Sequence, residues 1–407
     1  MKADKFLKFF LLIAALFSFL AYCHDLSREF IFSEFDDVGH YYVCSKLLSE
    51  KYDVYKGSTE ATSRADEIFK EMSTAKNQYY KPTHSLGFFL LFLPFSQFTY
   101  HKAAVAWILL SNVLFAAGVF MLLMCFSKMS LARFCTSIFL VFSMWPLREE
   151  MHFGQPNIVI VFLFAAALVA LRKKNDLALG LCLALGVTVK EIFAGAFLFL
   201  LWQRNWRAII SAVVSLALIK IASVWVFGFN AEISYWQAQY GYWISGFTRG
   251  TMSISFSETA RRVFSGIITE KAIAVTVLAI DAILFVLLLK WSGIKSRTAN
   301  FQKSALGFSL FLLFSVLVTP WLRETHLVIL TIPLLVIWLT LYESGNAGYY
   351  GLFTAGYLII ALRYSIFSFP YFQSGFLAIF DSAKVSGCLI LFYLCAKLLK
   401  EDLVYGD

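Results

Sequence analysis

The sequence predicts an all-α membrane protein that crosses the bilayer many times. Of its 407 residues, 59% are hydrophobic and only 15% are charged, and the mean hydropathy is +0.71. Soluble proteins carry about 25% charged residues, so a chain this apolar would leave too much hydrophobic surface in water. Many long segments lack charge, and a helix needs roughly 20 apolar residues to cross a bilayer core. These observations exclude a soluble globular domain.

Thirteen apolar segments are candidate transmembrane helices. They lie near residues 6–23, 86–99, 102–126, 131–146, 156–171, 176–189, 192–203, 207–229, 272–290, 303–319, 326–342, 347–366 and 376–399. Two longer segments separate them, one at about 24–85 and the other at about 230–270. We predict that these are the first and second outer loops of a single transmembrane domain spanning residues 1–407.

Basic residues set the predicted orientation, because Lys and Arg between apolar segments favour the cytoplasmic side. The clusters are Lys2, Lys5 and Lys8; Arg172, Lys173 and Lys174; Arg204 and Arg207; and Lys290, Lys295, Arg297 and Lys303. They agree with an uncleaved first helix and a cytoplasmic N-terminus if twelve of the thirteen segments cross. The segment that fails to cross is 86–99 or 131–146. Omission of 86–99 also puts Lys128 and Arg133 inside and is favoured.

Charge and cysteine content exclude other classes. The formal net charge of +9 follows from the positive-inside rule, so we expect no nucleic-acid partner. The seven cysteines show no CxxC or paired Cys/His spacing, which indicates neither a zinc site nor a disulfide framework.

The predicted topology collects polar groups on the face opposite the cytoplasm. The first loop, the segment 148–157, the pair 190–191, the segment 319–326 and the second loop all fall there. Polar groups at membrane depth are costly and usually functional. The sequence therefore predicts a lipid-embedded site that opens to the outside.

The first loop carries an acidic pair, Asp36 and Asp37, about a dozen residues after the first apolar segment. Adjacent carboxylates raise each other's pKa when partly desolvated, and such a group can act as a general base on a hydroxyl. Capping of a helix N-terminus is the alternative role for this pair.

Amide and charged residues recur at two later boundaries. Gln155 and Asn157 enter an apolar helix, where Asn157 can cap it or either amide can bind a sugar hydroxyl. Lys190 and Glu191 form either a salt-bridged pair or a phosphate-binding cation that Glu191 orients.

Arg323 and His326 lie three residues apart in the link between two apolar helices. If a helix begins here, both side chains can share one face. Arg suits bidentate phosphate binding, and helix N-termini favour anions. A polar interfacial turn is the alternative.

Taken together, these segments resemble glycosyltransferase family 87, the polyprenyl-phosphate-hexose-dependent mannosyltransferases of the GT-C fold. The resemblance covers roughly residues 30–330. It rests on Asp37-x-x-x-Tyr41-Tyr42, Tyr80-x-Pro82, Gly154-Gln155-Pro156-Asn157, Lys190, Thr319-Pro320-Trp321 and His326.

The resemblance implies a GT-C-like bundle of about 12 transmembrane helices in the cytoplasmic (inner) membrane. It implies inverting transfer of a hexose, usually mannose, from a polyprenyl-phosphate sugar to a glycan or glycolipid acceptor outside that membrane. Such enzymes need no nucleotide sugar and generally no catalytic metal, so no cofactor is expected.

The family's base maps onto Asp37, with Asp36 as the near alternative, and its donor-phosphate histidine maps onto His326. We expect Arg323 and Lys190 to bind the same phosphate. The residues expected to contact substrate are Tyr41, Tyr42, Gln155, Asn157 and Glu191.

Two departures from the family pattern leave the acceptor open. Arg323-Glu324-Thr325 precede a single His326, and the second outer loop reads Thr251-Met252-Ser253-Ile254 before Arg261-Arg262. A ligase or polymerase of lipid-linked glycans, or a lipid or sugar transporter, is the alternative. Transporters often show repeated halves, and no internal repeat stands out in this chain.

Overall fold

The computed structural model describes residues 2–32, 35–72, 81–126, 129–191, 194–245, 253–264, 266–292, 300–345, 347–363, 369–372 and 374–401. Tyr80, Lys128, Thr251, Met252, Lys295 and Arg297 lie outside these residues. The described residues contain helices and connections but no strand, which confirms the all-α prediction.

The α-helices of the described residues are numbered along the chain. They are α1 (Lys2–Phe32), α2 (Asp36–Ser49), α3 (Thr59–Glu71), α4 (Leu86–Phe92), α5 (Tyr100–Cys125), α6 (Leu131–Phe142), α7 (Trp145–Phe153), α8 (Asn157–Arg172), α9 (Asp176–Val189), α10 (Gly195–Trp202), α11 (Trp206–Phe227), α12 (Phe229–Ser245), α13 (Phe256–Phe264), α14 (Glu270–Ser292), α15 (Phe301–Val318), α16 (Thr331–Ser344), α17 (Tyr350–Ala361), α18 (Ala378–Asp381) and α19 (Ala383–Lys400). A 3₁₀ segment, Glu324–Leu330, leads directly into α16.

Six helical segments among the described residues are long and apolar enough to cross a membrane, and the bent pair α7–α8 is a seventh candidate. The segments of α15 and of the 3₁₀–α16 pair are 83% and 89% buried, whereas those of α1, α11 and α14 are only 17% buried. In lipid, exposed apolar side chains carry no penalty. Helix α15 and the 3₁₀–α16 pair therefore form the centre of the bundle, and α1, α11 and α14 form its lipid-facing edge.

The bundle has two polar ends. At one end, Arg133 pairs with Glu343 at 2.9 Å, and Arg172 donates to the carbonyl of Met124 at 2.8 Å. We name this the basic end, because the clusters 172–174 and 204–207 lie there. At the other end, the last turns of α1 meet α7 and the start of α19 meets the 3₁₀ segment, and we name it the site end.

Twelve described helices alternate in direction between the two ends, although several are too short to cross a bilayer alone. They are α1, α5, α6, α8, α9, α10, α11, α14, α15, α16, α17 and α19. The segment 86–99 has both of its boundaries at the site end. There Ser85 Oγ donates to the Thr188 carbonyl at 3.1 Å, and Tyr42 Oη donates to the Phe98 carbonyl at 2.8 Å. This segment does not run from end to end, in agreement with the favoured assignment.

The two predicted outer loops are largely helical. Helix α1 continues to Phe32, and α2 and α3 follow within 24–85; α12 and α13 lie within 230–270. Side-chain capping helps to form α3, where Ser58 Oγ accepts from the Ala61 N–H at 3.2 Å. This helical content is compatible with the predicted outer loops, because polar composition marks a segment outside the bilayer core without excluding helix.

Gly154 produces the sharp turn between α7 and α8, whose axes differ by 120°. It ends α7 with φ 67°, in the left-handed region that glycine adopts without strain. A Cβ at this position would lie 2.3 Å from Val38 Cγ2, so Gly154 also lets α2 pack against the turn.

We predict that Gly154→Ala lowers the thermal unfolding temperature more than Gly345→Ala does. Gly345 also has positive φ, but a Cβ there meets no atom within 4 Å. Both variants gain backbone strain of about 1–3 kcal/mol, and only the first adds an overlap with α2. Equal shifts in a detergent-solubilised melting assay would contradict this role.

Candidate active site

A buried polar network joins four separate parts of the chain at the site end. Gln155 is its centre: its Nε2 donates to Asp37 Oδ2 at 2.6 Å. Its Oε1 accepts from Lys190 Nζ at 3.0 Å, from Asn157 Nδ2 at 3.0 Å and from Thr325 Oγ1 at 3.1 Å. Because Lys190 can only donate, these contacts fix the orientation of the Gln155 amide.

Asp37 and Asp36 have different surroundings. Both lie in the first turn of α2, where the helix dipole favours negative charge. Phe35 is the N-cap residue, so neither aspartate caps the helix. Asp36 is exposed, whereas Asp37 is only 8% exposed and joins the network.

Glu150 caps the N-terminus of α8. Capping of this helix is one of the roles predicted for Asn157. Glu150 Oε1 accepts from the Asn157 N–H at 2.6 Å and from the Ile158 N–H at 3.3 Å, and Glu150 Oε2 accepts from Asn157 Nδ2 at 2.7 Å. Asn157 is instead the first residue of the helix. Its Oδ1 accepts from Lys190 Nζ at 3.0 Å.

Lys190 enters the network because α9 ends at Val189 and the backbone becomes extended at the next residue. Burial lowers the pKa of the Lys190 ammonium, with a smaller contribution from Arg323. Glu150 and Asp37 oppose that shift. The lysine is thus a partly buried cation whose charged form two carboxylates favour.

Lys190 and Glu191 do not act as a pair. Glu191 accepts a hydrogen bond from the Tyr235 hydroxyl, while Lys190 binds the two amide side chains. The two side chains therefore have separate partners, because the extended backbone at Lys190 directs neighbouring side chains to opposite sides.

Arg323 and His326 lie at the start of the 3₁₀ segment that also supplies Thr325. The Arg323 backbone N–H donates to His326 Nδ1 at 3.2 Å, and the Arg323 guanidinium lies 5.0 Å from the centre of the Phe153 ring. His326 is 3% exposed. Thr325 contacts Gln155 directly, so the predicted phosphate ligands adjoin the network that holds Asp37.

Tyr41 and Tyr42 contact aromatic rings and backbone beside the network. The Tyr41 ring lies 4.9 Å from the His84 ring and 4.9 Å from the Phe88 ring. The Tyr42 hydroxyl donates to the Phe98 carbonyl. Tyr42 therefore ties α2 to the segment before α5.

Three further residues at this site are absent from the residues predicted to act there: Glu150, Thr325 and His84. His84 Nε2 is buried and has no hydrogen-bond partner among the described residues. The next residue, Ser85, donates to the backbone carbonyl of Thr188, which lies in the last turn of α9, two residues before Lys190. This contact keeps His84 close to the end of α9. Glu150 stands in the predicted polar segment 148–157, but only its contacts distinguish it from Glu149.

The second predicted loop supports the 3₁₀ segment. The Ile254 N–H donates to the Leu322 carbonyl at 2.7 Å, and Ser255 Oγ donates to the Pro320 carbonyl at 2.7 Å. Arg262 is 5% exposed and pairs with Asp381 and Glu258. Arg262 therefore stabilises the fold through ion pairs, and its charge is already paired with carboxylates of the protein.

No group of three or more His, Cys, Asp or Glu side chains with metal-ligand geometry occurs within the part of the chain that the structure describes.

A model of glycosyltransferase family 87 matches residues 83–320, which is more than half of the chain. The chain belongs to glycosyltransferase family 87. No curated protein and no solved structure matches it. The glycosyltransferase match includes Glu150, Gln155, Asn157 and Lys190 and ends before Thr325. Asp37 also lies outside the match, and its hydrogen bond to Gln155 connects it to the matched region.

Proposed function

We propose that this glycosyltransferase moves a hexose, most simply mannose, from a polyprenyl-phosphate carrier to an acceptor hydroxyl. The observation that carries the proposal is the Gln155 contact set. It links a buried carboxylate, Asp37, to a partly buried cation, Lys190, beside Arg323 and His326. Glycosyl transfer from a lipid phosphate needs a base for the acceptor and positive charge for the leaving phosphate.

In the proposed mechanism, Lys190, Arg323 and His326 bind the donor phosphate, and the unpartnered nitrogen of His84 adds a fourth ligand. These groups stabilise the charge that develops on the phosphate as the anomeric C–O bond breaks. No acid is needed at the leaving group, because the departing phosphate is weakly basic.

Asp37 takes the proton of the acceptor hydroxyl, whose oxygen bonds to the anomeric carbon from the opposite face. A single displacement therefore inverts the configuration. Gln155 orients Asp37 by donating to Oδ2. Because Gln155 also accepts from Lys190, it fixes the distance between Asp37 and Lys190. Such positioning matters because a small misplacement of reacting groups slows transfer strongly.

The proposed site faces outside the cytoplasmic membrane. It lies at the opposite end from Arg172, Lys173, Lys174, Arg204 and Arg207, and the positive-inside rule assigns such clusters to the cytoplasm. Within this orientation the N-terminus is cytoplasmic.

The test supplies the protein, reconstituted in lipid nanodiscs, with polyprenyl-phosphate mannose, glucose or galactose, and separately with nucleotide sugars. We expect release of polyprenyl phosphate from one lipid donor and a product of inverted anomeric configuration by NMR. Consumption of a nucleotide sugar alone, or transfer only of a preassembled lipid-linked glycan, would contradict the proposal.

A further inference from the structure

A second polar cavity lies on the other side of α7 from the Gln155 network. It has a volume of about 520 Å³, within the range of small-molecule sites. Its walls are the last turns of α1, the outer face of α7 and Arg363, which follows α17. We name it the α1–α7 groove.

Helix α7 presents different chemistry on its two faces. Trp145, Arg148, Glu149 and His152 recur at helical spacing and line the groove. Glu150 lies on the buried side and caps α8 in the network. One short helix thus forms a wall of both sites, and a ligand in the groove would lie close to the network.

The groove is balanced in charge. It contains three basic residues, Arg28, Arg148 and Arg363, and three acidic residues, Asp25, Glu29 and Glu149. Arg148 pairs with Asp25 at 3.2 Å and His152 with Glu29 at 3.1 Å. The three carboxylates offset the three guanidinium charges, so the groove does not suit a second phosphate.

Its chemistry suits a neutral molecule rich in hydroxyl groups. Carboxylates accept and guanidinium groups donate paired hydrogen bonds, which matches neighbouring hydroxyls on a sugar ring. Trp145 supplies an apolar face at the same wall, and the Arg363 guanidinium lies 4.3 Å from the centre of its ring. A sugar can stack there in place of the guanidinium.

The groove adjoins two elements that carry residues of the proposed reaction. At its α1 wall, Glu29 precedes Phe30, whose ring lies 6.1 Å from that of Phe35, the N-cap of Asp37's helix. At its other wall, Glu149 and Arg363 lie near Glu324, the neighbour of Arg323.

We propose that the α1–α7 groove binds the neutral saccharide headgroup of the acceptor. The identification of the bound saccharide as the acceptor rests on the proposed function. The binding of a saccharide in the groove does not. Trp145 and Arg148 are its principal contacts, and they bind a part of the acceptor that lies across α7 from the reacting hydroxyl.

Binding can be tested without turnover by amide hydrogen exchange on the full chain in nanodiscs. The probes are mannotriose, cellotriose and, as an anionic control, trigalacturonate. We expect a neutral trisaccharide to slow exchange in residues 21–32 and 145–153. Trp145→Leu and Arg148→Gln should abolish that protection.

Matched variants control for the loss of any exposed indole or ion pair. Trp206→Leu removes an exposed indole at the basic end, and Arg64→Gln breaks the surface pairs with Glu50 and Glu67. Both should keep the protection. The proposal would be overturned if only the anionic sugar protected these residues, or if the protection appeared in other parts of the chain. It would also be overturned if no sugar gave protection at concentrations up to about a 50-fold molar excess over the lipid.

Kinetics separate failure of the groove from failure of the reaction. Loss of one hydrogen bond to a charged group, about 1.5–3 kcal/mol, should raise the acceptor KM about tenfold or more in Arg148→Gln. The rate of donor hydrolysis by water should stay unchanged. Raised donor KM with unchanged acceptor KM would overturn the assignment. If no lipid donor is consumed but the groove is protected, the proposed reaction fails and the saccharide site stands.

Discussion

Asp37→Asn is expected to reduce glycosyl transfer by about 10²–10⁴-fold, the contribution of one positioned base. The amide is isosteric with the carboxylate, and its oxygen can still accept from Gln155 Nε2. Folding should therefore be retained, and donor binding should change little. Initial rates with saturating lipid donor, together with a thermal melt of the same sample, measure both effects.

Asp36→Asn is the matched control for that variant. Asp36 is the neighbouring residue in the same helical turn but is exposed, whereas Asp37 is buried in the network. We expect near-normal transfer by Asp36→Asn. If Asp36→Asn loses activity and Asp37→Asn keeps it, the base has been assigned to the wrong carboxylate.

Lys190→Met is expected to lose both transfer and stability. The variant removes the cation that binds Gln155 Oε1 and Asn157 Oδ1 and that compensates Glu150 and Asp37. Removing one member of a buried charged set costs about 3–5 kcal/mol. Loss of a donor-phosphate ligand should also lower transfer by roughly 10²-fold or more.

A second substitution separates the two effects of Lys190→Met. Adding Glu150→Gln removes an uncompensated carboxylate, so the double variant should regain much of the lost melting temperature without regaining transfer. Lys220→Met, which breaks a pair with Glu232 outside the network, should cost stability but leave the donor KM unchanged. Recovery of transfer in the double variant would mean that Lys190 has a structural role only.

The helical membrane architecture was predictable because apolar run length and charge placement are local properties of the sequence. The same information favoured a segment 86–99 that stays at one end. It could not show that α2 is buried, since the burial of its polar turn depends on packing against the α7–α8 turn at Gly154.

The candidate site was predictable in part. Gln155, Asn157 and Lys190 stood out as polar residues beside apolar helices. Glu191 stood out equally, and only the extended backbone at Lys190 separates their directions. Contacts such as Gln155 to Asp37 join residues more than 100 positions apart, and no local pattern encodes them. Thr325 and His84 were missed for this reason.

The central claim is that one site holds both the catalytic base, Asp37, and the donor phosphate. A structure of the protein with bound polyprenyl phosphate tests it most directly. We expect phosphate density within hydrogen-bond distance of Lys190 and His326, with the side that would carry the sugar turned towards Asp37. Phosphate bound at the basic end, beside Arg172 or Arg204, would contradict the account.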